Sequence, residues 1–330
     1  MIKVGILGGA GYTGGELIRL LLHHPEAEIL FVNSESNAGN PITDVHSGLL
    51  GETELRFTDA MPFEQVDLLF FCFGHGKSRE FVQTHPIPER VKIIDLAQDF
   101  RLASPEHDYI YGLPELHREQ IIQCNHLANP GCFATCIQLG LLPLAKAGLL
   151  KGDVAVNAIT GSTGAGQKPV ATTHFSWRSD NISIYKVFNH QHLHEIRQSL
   201  NELQHPLEAS IDFIPYRGDF ARGIFCTEVV KFEGEEGSPT NPTGEELAAM
   251  YRAFYADAAF TFYVDKPLDL KQVVNTNKAL IHLDKFENKS VITIVIDNLL
   301  KGAVGQAVQN MNLMFGLDER CGLGLKASAF

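Results

Sequence analysis

The sequence has no apolar run long enough to cross a bilayer, no Cys-x-x-Cys pair, no basic stripe and no internal repeat. Each absence removes a class of function. Leu68–Phe73 and Val291–Ile296 are strand-length, against the ~20 residues that a membrane helix needs. Met1 leads directly into Ile2-Lys3-Val4-Gly5-Ile6-Leu7, which reads as a buried strand, so no secretory leader and a cytoplasmic location are expected. The six cysteines (Cys72, Cys124, Cys132, Cys136, Cys226, Cys321) are scattered, which excludes a disulfide framework and a zinc knuckle. A net charge of −12 argues against nucleic acid and anionic membranes as partners. It leaves room for a local basic pocket that holds an anionic ligand. With 330 residues, 45% hydrophobic and 20% charged, the chain is an ordinary globular protein long enough for two domains.

What is present divides in two. The first third alternates apolar runs (2–7, 28–33, 67–73, 91–95) with helical patterns (13–23, 77–83). That alternation predicts a Rossmann-type parallel sheet with helices on its faces. Residues 96–128 read as mixed and loop-rich. Beyond Cys132, strands are predicted at 153–160, 210–215, 223–232, 261–264, 279–285 and 290–297. Helices are predicted at 192–203, 244–256 and 303–315, and residues 232–243 form a polar loop. Long strands with few helices predict a second, α+β domain built on a mixed or antiparallel sheet.

Gly8-Gly9-Ala10-Gly11-Tyr12-Thr13-Gly14 stands between a strand and an amphipathic run. Gly8 permits the tight turn, Gly11 lets the backbone approach a pyrophosphate and Gly14 lets helix and strand pack closely. The helix start at Tyr12 and Thr13 supplies amide donors to phosphate. The competing reading is a tight turn that binds nothing. The second strand ends in Asn33-Ser34-Glu35-Ser36-Asn37. The hydroxyls of Ser34 and Ser36 suit a 2′-phosphate and point to NADP. Glu35 argues the other way, and no arginine stands beside it in sequence.

Asn129-Pro130-Gly131-Cys132 delivers a cysteine to a predicted helix start, where backbone amides and the helix dipole favour a thiolate. Cys136, one turn on and inside the apolar helix, is assigned to packing. A nucleophilic sulfur with a dinucleotide site implies redox chemistry through a thioester. His190, His192 and His194 fall within five residues at another helix start. Acid–base catalysis, a metal site and solvated polarity compete for them, although no further metal ligands are indicated. His190, just outside the helix, is the first choice as acid–base partner. Arg101 and Arg222 can each clamp a phosphate or carboxylate, or form an ordinary ion pair. Lys168 follows the glycine-rich loop Gly161–Gly166, which reads either as an anion cradle or as a plain inter-strand loop.

Taken together these motifs resemble the N-acyl-γ-glutamyl-phosphate reductases of arginine biosynthesis (the N-acetyl-γ-glutamyl-phosphate reductase family), relatives of aspartate-semialdehyde dehydrogenase. The matching pieces are Gly8–Gly14, Asp95-Leu96 with Asp99-Phe100-Arg101, Tyr111–Glu115, Asn129–Cys132 and Gly161–Gly166. His190-Gln191-His192 with Glu195-Ile196, Arg222-Gly223-Ile224, and Asp297-Asn298-Leu299 through Asn312 complete them. The resemblance implies NADPH-dependent reduction of N-acetyl-γ-glutamyl phosphate to N-acetylglutamate 5-semialdehyde, with phosphate released. It places Cys132 at the attacking cysteine, His190 and His192 at the paired histidines, and Gln306 near the nicotinamide. It further implies a homo-oligomer, dimer or tetramer, whose C-terminal helix returns to the nucleotide domain. The domains would then be residues 1–131 with about 306–330, and residues 132–305.

Three departures cluster in the substrate domain. Gln167 stands where arginine is common, Tyr216 where histidine is frequent, and Phe188-Asn189 in place of Gly-Gly. They leave the acyl group open among acetyl, succinyl and a carrier-linked aminoadipyl. A non-catalytic nucleotide sensor would need only the glycine turn, so the cysteine and histidines disfavour it. The Gln306–Asn312 block disfavours an aspartate-semialdehyde dehydrogenase.

Overall fold

The computed structural model describes residues 1–328 and divides into two compact units. The first is Met1–Pro130 with Ala303–Gly324, and the second is Gly131–Gly302 with the chain from Leu325 onward. The tail leaves the first unit after Gly324, and Ser328 N donates to Val274 O (3.3 Å). The expected boundary at residue 330 lies outside the described residues.

In the first unit seven strands are β1 (Ile2–Leu7), β2 (Ala27–Asn33), β3 (Phe57–Thr58), β4 (Leu68–Phe71), β5 (Lys92–Asp95), β6 (Ile110–Tyr111) and β7 (His126–Ala128). They form one parallel sheet in the order β3-β2-β1-β4-β5-β7-β6. Leu68–Phe71 is buried throughout, as a strand covered on both faces must be. The helices are α1 (Tyr12–Leu21), α2 (Ser78–Thr84) and α3 (Pro114–Gln123). The direction of winding reverses between β1 and β4, and at such a switch point ligands bind beyond the strands' carboxyl ends. The turn after β1 is therefore where a nucleotide is expected. The stretch 96–128, read as loop-rich, holds α3 and two short strands. Two- and three-residue strands carry no periodic signal, and α3 buries only Pro114, His117 and Ile121.

The C-terminal helix Gly305–Met314 belongs to this unit and is buried at every position. Its polar block therefore needs internal partners. Gln309 donates to Glu319 (3.0 Å), Asn310 to Gly112 O (2.8 Å) and to Asn129 Oδ1 (3.1 Å), and Asn312 to Cys321 O (2.9 Å). The helix is preceded by a π-helical turn, Leu300–Val304.

The second unit starts with α4 (Cys132–Lys146) and β8 (Val154–Thr160), then α5 (Phe175–Arg178), β9 (Ser183–Ile184) and α6 (His192–Leu203). There follow β10 (Ile211–Arg217), β11 (Ile224–Lys231), α7 (Gly244–Phe254), β12 (Thr261–Tyr263), β13 (Ala279–Phe286) and β14 (Lys289–Ile296). The sheet order is β12-β13-β14-β11-β8-β10-β9. Parallel pairs (β12/β13, β8/β10) and antiparallel ones make it mixed. Burial alternates along β8, β10 and β11, so one face is core and the other is only partly covered. α4 packs on β11, β13 and β14. Ile224 pairs with both Thr160 and Ile296. That register gathers the loops after β8, before β11 and after β14 at one end of the sheet.

Candidate active site

Cys132 is the first residue of α4, and its side chain is half-buried. The helix has no side-chain cap at Gly131 and no acidic residue in its first turn. Its amide end and dipole thus act on the thiol without a competing carboxylate in that turn. Gly131 N–H donates to Glu195 Oε2 (2.9 Å), while Glu195 Oε1 lies 3.9 Å from His192 Nε2. Glu195, buried in the first turn of α6, thereby ties the turn before the cysteine to the histidine pair. Sequence reasoning gave Glu195 no role. The available signal was its place three residues after His192, on one face of a helix.

His190 and His192 pack edge-on against Phe133, the neighbour of Cys132, with ring centroids 5.4 and 6.3 Å away. His190 is also enclosed by Tyr185 and Phe213, so its place just outside the helix does not leave its ring free. Its Nδ1 accepts the His192 N–H (3.2 Å), which assigns the proton to Nε2. Burial, aided by nearby Lys186, lowers its pKa to about 4, so the ring is neutral at physiological pH. His194 is exposed, and no group of three metal-capable side chains forms among the described residues. Cys136 is fully buried, with its thiol pKa raised by desolvation.

The gathered loops close around Cys132. A Cβ on Gly302 would come within 2.9 Å of Cys132 Cβ, so a side chain there would displace its neighbours. Gly302 N donates to Asp297 O (2.9 Å). Fully buried Asp297 takes both Nε (3.1 Å) and Nη2 (3.2 Å) of Arg222, and the amides of Asn275, Leu299 and Leu300. Asn298 accepts from Gly223 N (2.7 Å) and donates to Thr163 Oγ1 (3.0 Å). Arg222 precedes β11 and does not lie on a strand. In the Gly161–Gly166 loop, the amides of Gly161, Ser162, Thr163, Gly164 and Gly166 all donate to main-chain carbonyls. Those five amides are therefore not offered to an anion. Lys168, just beyond, is exposed.

In the first unit, Gly8 has φ +75°. A Cβ on Gly14 would meet Gly9 O at 2.4 Å, which fixes how closely α1 packs on the turn. At Gly11 nothing lies within 4 Å. The turn is open there, at the N-cap of a helix whose first turn, from Tyr12 and Thr13, carries no acidic side chain. At the tip of β2, Asn37 Nδ2 donates to both Ser34 Oγ and Ser36 Oγ (3.1 Å each), while Glu35 is exposed. Sequence inspection missed Arg56 there. It pairs with Pro41 in an isolated bridge, and its Nη1 donates to Gly39 O (2.9 Å), within the loop that follows Asn37. Buried Arg101 gives Nε to Asn129 O and Nη2 to Leu96 O (2.8 Å each). Gln306 is fully buried in the C-terminal helix.

Residues 3–124 match the family profile described as semialdehyde dehydrogenase, NAD binding domain, and residues 132–298 match semialdehyde dehydrogenase, dimerisation domain. N-acetyl-gamma-glutamyl-phosphate reductases from Bacteroides thetaiotaomicron and Flavobacterium johnsoniae are 64% and 50% identical to the chain, each covering 100% of both sequences. The fold is also that of aspartate semialdehyde dehydrogenase II from Vibrio cholerae (TM-score 0.73, 16% identity, 96% of this chain and 98% of that one). The NADP complex of the Candida albicans aspartate semialdehyde dehydrogenase gives a TM-score of 0.72 at 15% identity, over 96% of this chain and 98% of that one. The chain belongs to the semialdehyde dehydrogenase family and, within it, to the N-acetyl-gamma-glutamyl-phosphate reductases.

Proposed function

We propose that the chain reduces N-acetyl-γ-glutamyl phosphate to N-acetylglutamate 5-semialdehyde, releasing phosphate, in arginine biosynthesis. The observation that carries this reading is Cys132 at the start of α4, with Glu195 joining its turn to His192. The full-length relatives favour acetyl over the other acyl groups.

The Cys132 thiolate attacks the acyl carbon, and the carbon–oxygen bond to phosphate breaks to leave a thioester. NADPH, when bound, supplies a hydride for the thioester carbonyl. The collapse of the resulting hemithioacetal frees the aldehyde and returns the sulfur. His192, beside the Glu195 carboxylate, is the better proton carrier. His190, neutral and enclosed, holds the main chain at His192 through its Nδ1 and packs edge-on against the His192 ring.

The first-unit residues fit NADP. The tight glycine turn, open at Gly11 between the close-packed Gly8 and Gly14, and the uncapped start of α1 suit a pyrophosphate. Ser34, Ser36 and Arg56 suit a 2′-phosphate. Gln306 is assigned to the nicotinamide end by family resemblance. Arg222 and Arg101 act by bracing loops, since each is engaged with its own chain, and exposed Lys168 is a cation that the anionic substrate can meet. The enzyme is a cytoplasmic homo-oligomer, dimer or tetramer, assembled through the second unit. No helix among the described residues is long and apolar enough to cross a membrane.

The reverse reaction tests this. With N-acetylglutamate semialdehyde, phosphate and NADP, absorbance at the reduced nicotinamide band should rise only when phosphate is present. Turnover with aspartate semialdehyde but not with the N-acetylglutamate compound would overturn the assignment.

A further inference from the structure

In the first unit, the loop between β2 and β3 reaches back to the glycine turn through half-buried His46, whose Nε2 lies 2.8 Å from Gly9 O. A carbonyl only accepts, so Nε2 carries the proton and donates it. Gly9 is thereby held at both of its main-chain polar groups, since its own N–H donates to Asn33 O (2.9 Å) at the tip of β2. The imidazole also fills the space beside α1. A Cβ on Gly15 would meet His46 Nδ1 at 2.6 Å and Cε1 at 2.7 Å. Neither the hydrogen bond nor the close approach serves any step assigned above.

The other end of the contact is a well-tied loop. Gly39 N donates to Phe57 O (2.8 Å), Phe57 N to Asn40 O (3.0 Å) and Ile42 N to Leu55 O (3.0 Å). The short helical turns Ile42–Asp44 and Ser47–Leu49 flank His46, whose N–H donates to Ile42 O (2.9 Å). Buried Phe57 packs beside the imidazole, with ring centroids 6.1 Å apart. Ser34, Ser36 and Arg56, which suit a 2′-phosphate, stand on this same loop. His46 therefore joins the two places that suit phosphate, the turn for the pyrophosphate and the loop for the 2′-phosphate.

We propose that His46 is a positioning residue that fixes the spacing of these two phosphate anchors, and so favours a dinucleotide that carries both. The proposal rests on the NADP reading above and deepens it. Two anchors held at one distance act as a bivalent receptor, in which binding at one raises the effective concentration at the other. A loosened strut forfeits that gain while each anchor keeps its own contacts. The cost therefore falls on ligands that span both anchors, and much less on those that use one. A histidine that only stabilised the turn would affect every ligand of the turn alike.

The test is calorimetric titration of the intact protein with three ligands. NADPH bears both phosphate groups, NADH lacks the 2′-phosphate and adenosine 2′-monophosphate lacks the pyrophosphate. His46→Leu keeps the bulk and removes the donor. It should weaken NADPH about 3- to 10-fold, the range for one lost hydrogen bond, and change the other two by less than about twofold. His46→Gln, whose amide nitrogen can donate to Gly9 O, should restore most of the NADPH affinity. Equal weakening of NADPH and NADH, or an unchanged affinity for NADPH, overturns the strut. Hydrogen exchange on the wild type needs no variant, so a misfolded mutant cannot mask the outcome. Adenosine 2′-monophosphate, seated on the loop alone, should slow exchange at the amides of residues 9–15, and no change there overturns the link. A wild type that does not bind NADPH overturns the cofactor reading itself.

Discussion

Gly302→Ala is the sharpest test of the cysteine's setting. The added methyl would sit 2.9 Å from Cys132 Cβ, 3.3 Å from Cys132 Cα and 3.3 Å from Asp297 O. Carbon atoms pack at ~3.5–4.0 Å, so one partner must retreat by roughly 0.6–1 Å. Asp297 is held by Arg222 and three amides, and Cys132 is anchored by the helix it starts. The lighter move is a displacement of the Cys132 side chain and the turn before it. A misplacement of about 1 Å at a reacting atom costs around 10²-fold in rate, or ~2.7 kcal/mol of barrier. Gly302 does not have a left-handed φ, so alanine adds crowding without backbone strain. Overpacking of this kind costs ~1–3 kcal/mol of stability, which a thermal melt separates from the kinetic effect. The assay is kcat/KM in the reverse direction, with the rate of Cys132 alkylation by iodoacetamide measured alongside. A folded variant within threefold of wild type in both would refute the view that this contact sets the sulfur's position.

Three further outcomes are expected. Cys132→Ala abolishes turnover in that assay, whereas Cys136→Ala, a buried packing change, keeps most of it and lowers the melting temperature. Arg56→Ala lowers the kcat/KM preference for NADP over NAD by about 10- to 100-fold, the loss of one charge-assisted contact of ~1.5–3 kcal/mol, and leaves the NAD reaction unaltered. The pKa of His190 is lowered from 6.5 to about 4, so the unfolded chain binds the extra proton between those values. The stability that neutral His190 confers is whole above about 6.5 and is lost as pH falls toward 4. Asp95, raised by burial to about 6, acts in the opposite sense: its contribution is whole below its ordinary 3.8 and lost as pH rises through about 6. Urea melts of wild type and His190→Asn across pH 4–7 isolate the histidine, whose removal should flatten the acid limb.

How much was legible follows from the range of each signal. The parallel sheet and the mixed sheet were readable because their strands and helices are long enough to show a period, whereas the return of the C-terminal helix came from the family resemblance alone. β6, β7, β9 and α5, of two to four residues each, were not. Cys132 and the glycine turn were visible as local motifs. Glu195 and Arg56 act across 64 and 17 residues of sequence, on Gly131 and Gly39 respectively, and only the packing of α6 on α4 and the bridge at Pro41 bring them there.

The arginines teach a related lesson. In sequence Arg101 and Arg222 read as clamps, because a guanidinium matches a phosphate or carboxylate, or as ordinary ion pairs. The same fork serves the chain's own acceptors equally well. Arg222 spans both oxygens of Asp297, and Asp297 in turn gathers the amides that shape the 297–302 turn beside Cys132. Arg101 bridges Leu96 and Asn129, and so holds the strand end that leads into Pro130 and Gly131. Lysine at either position would keep the charge and lose the second hydrogen bond, so its cost should fall on the placement of the cysteine more than on the affinity for any one anion. An arginine beside a motif thus carries two readings that sequence cannot separate, because the deciding fact is which acceptor the fold brings to it.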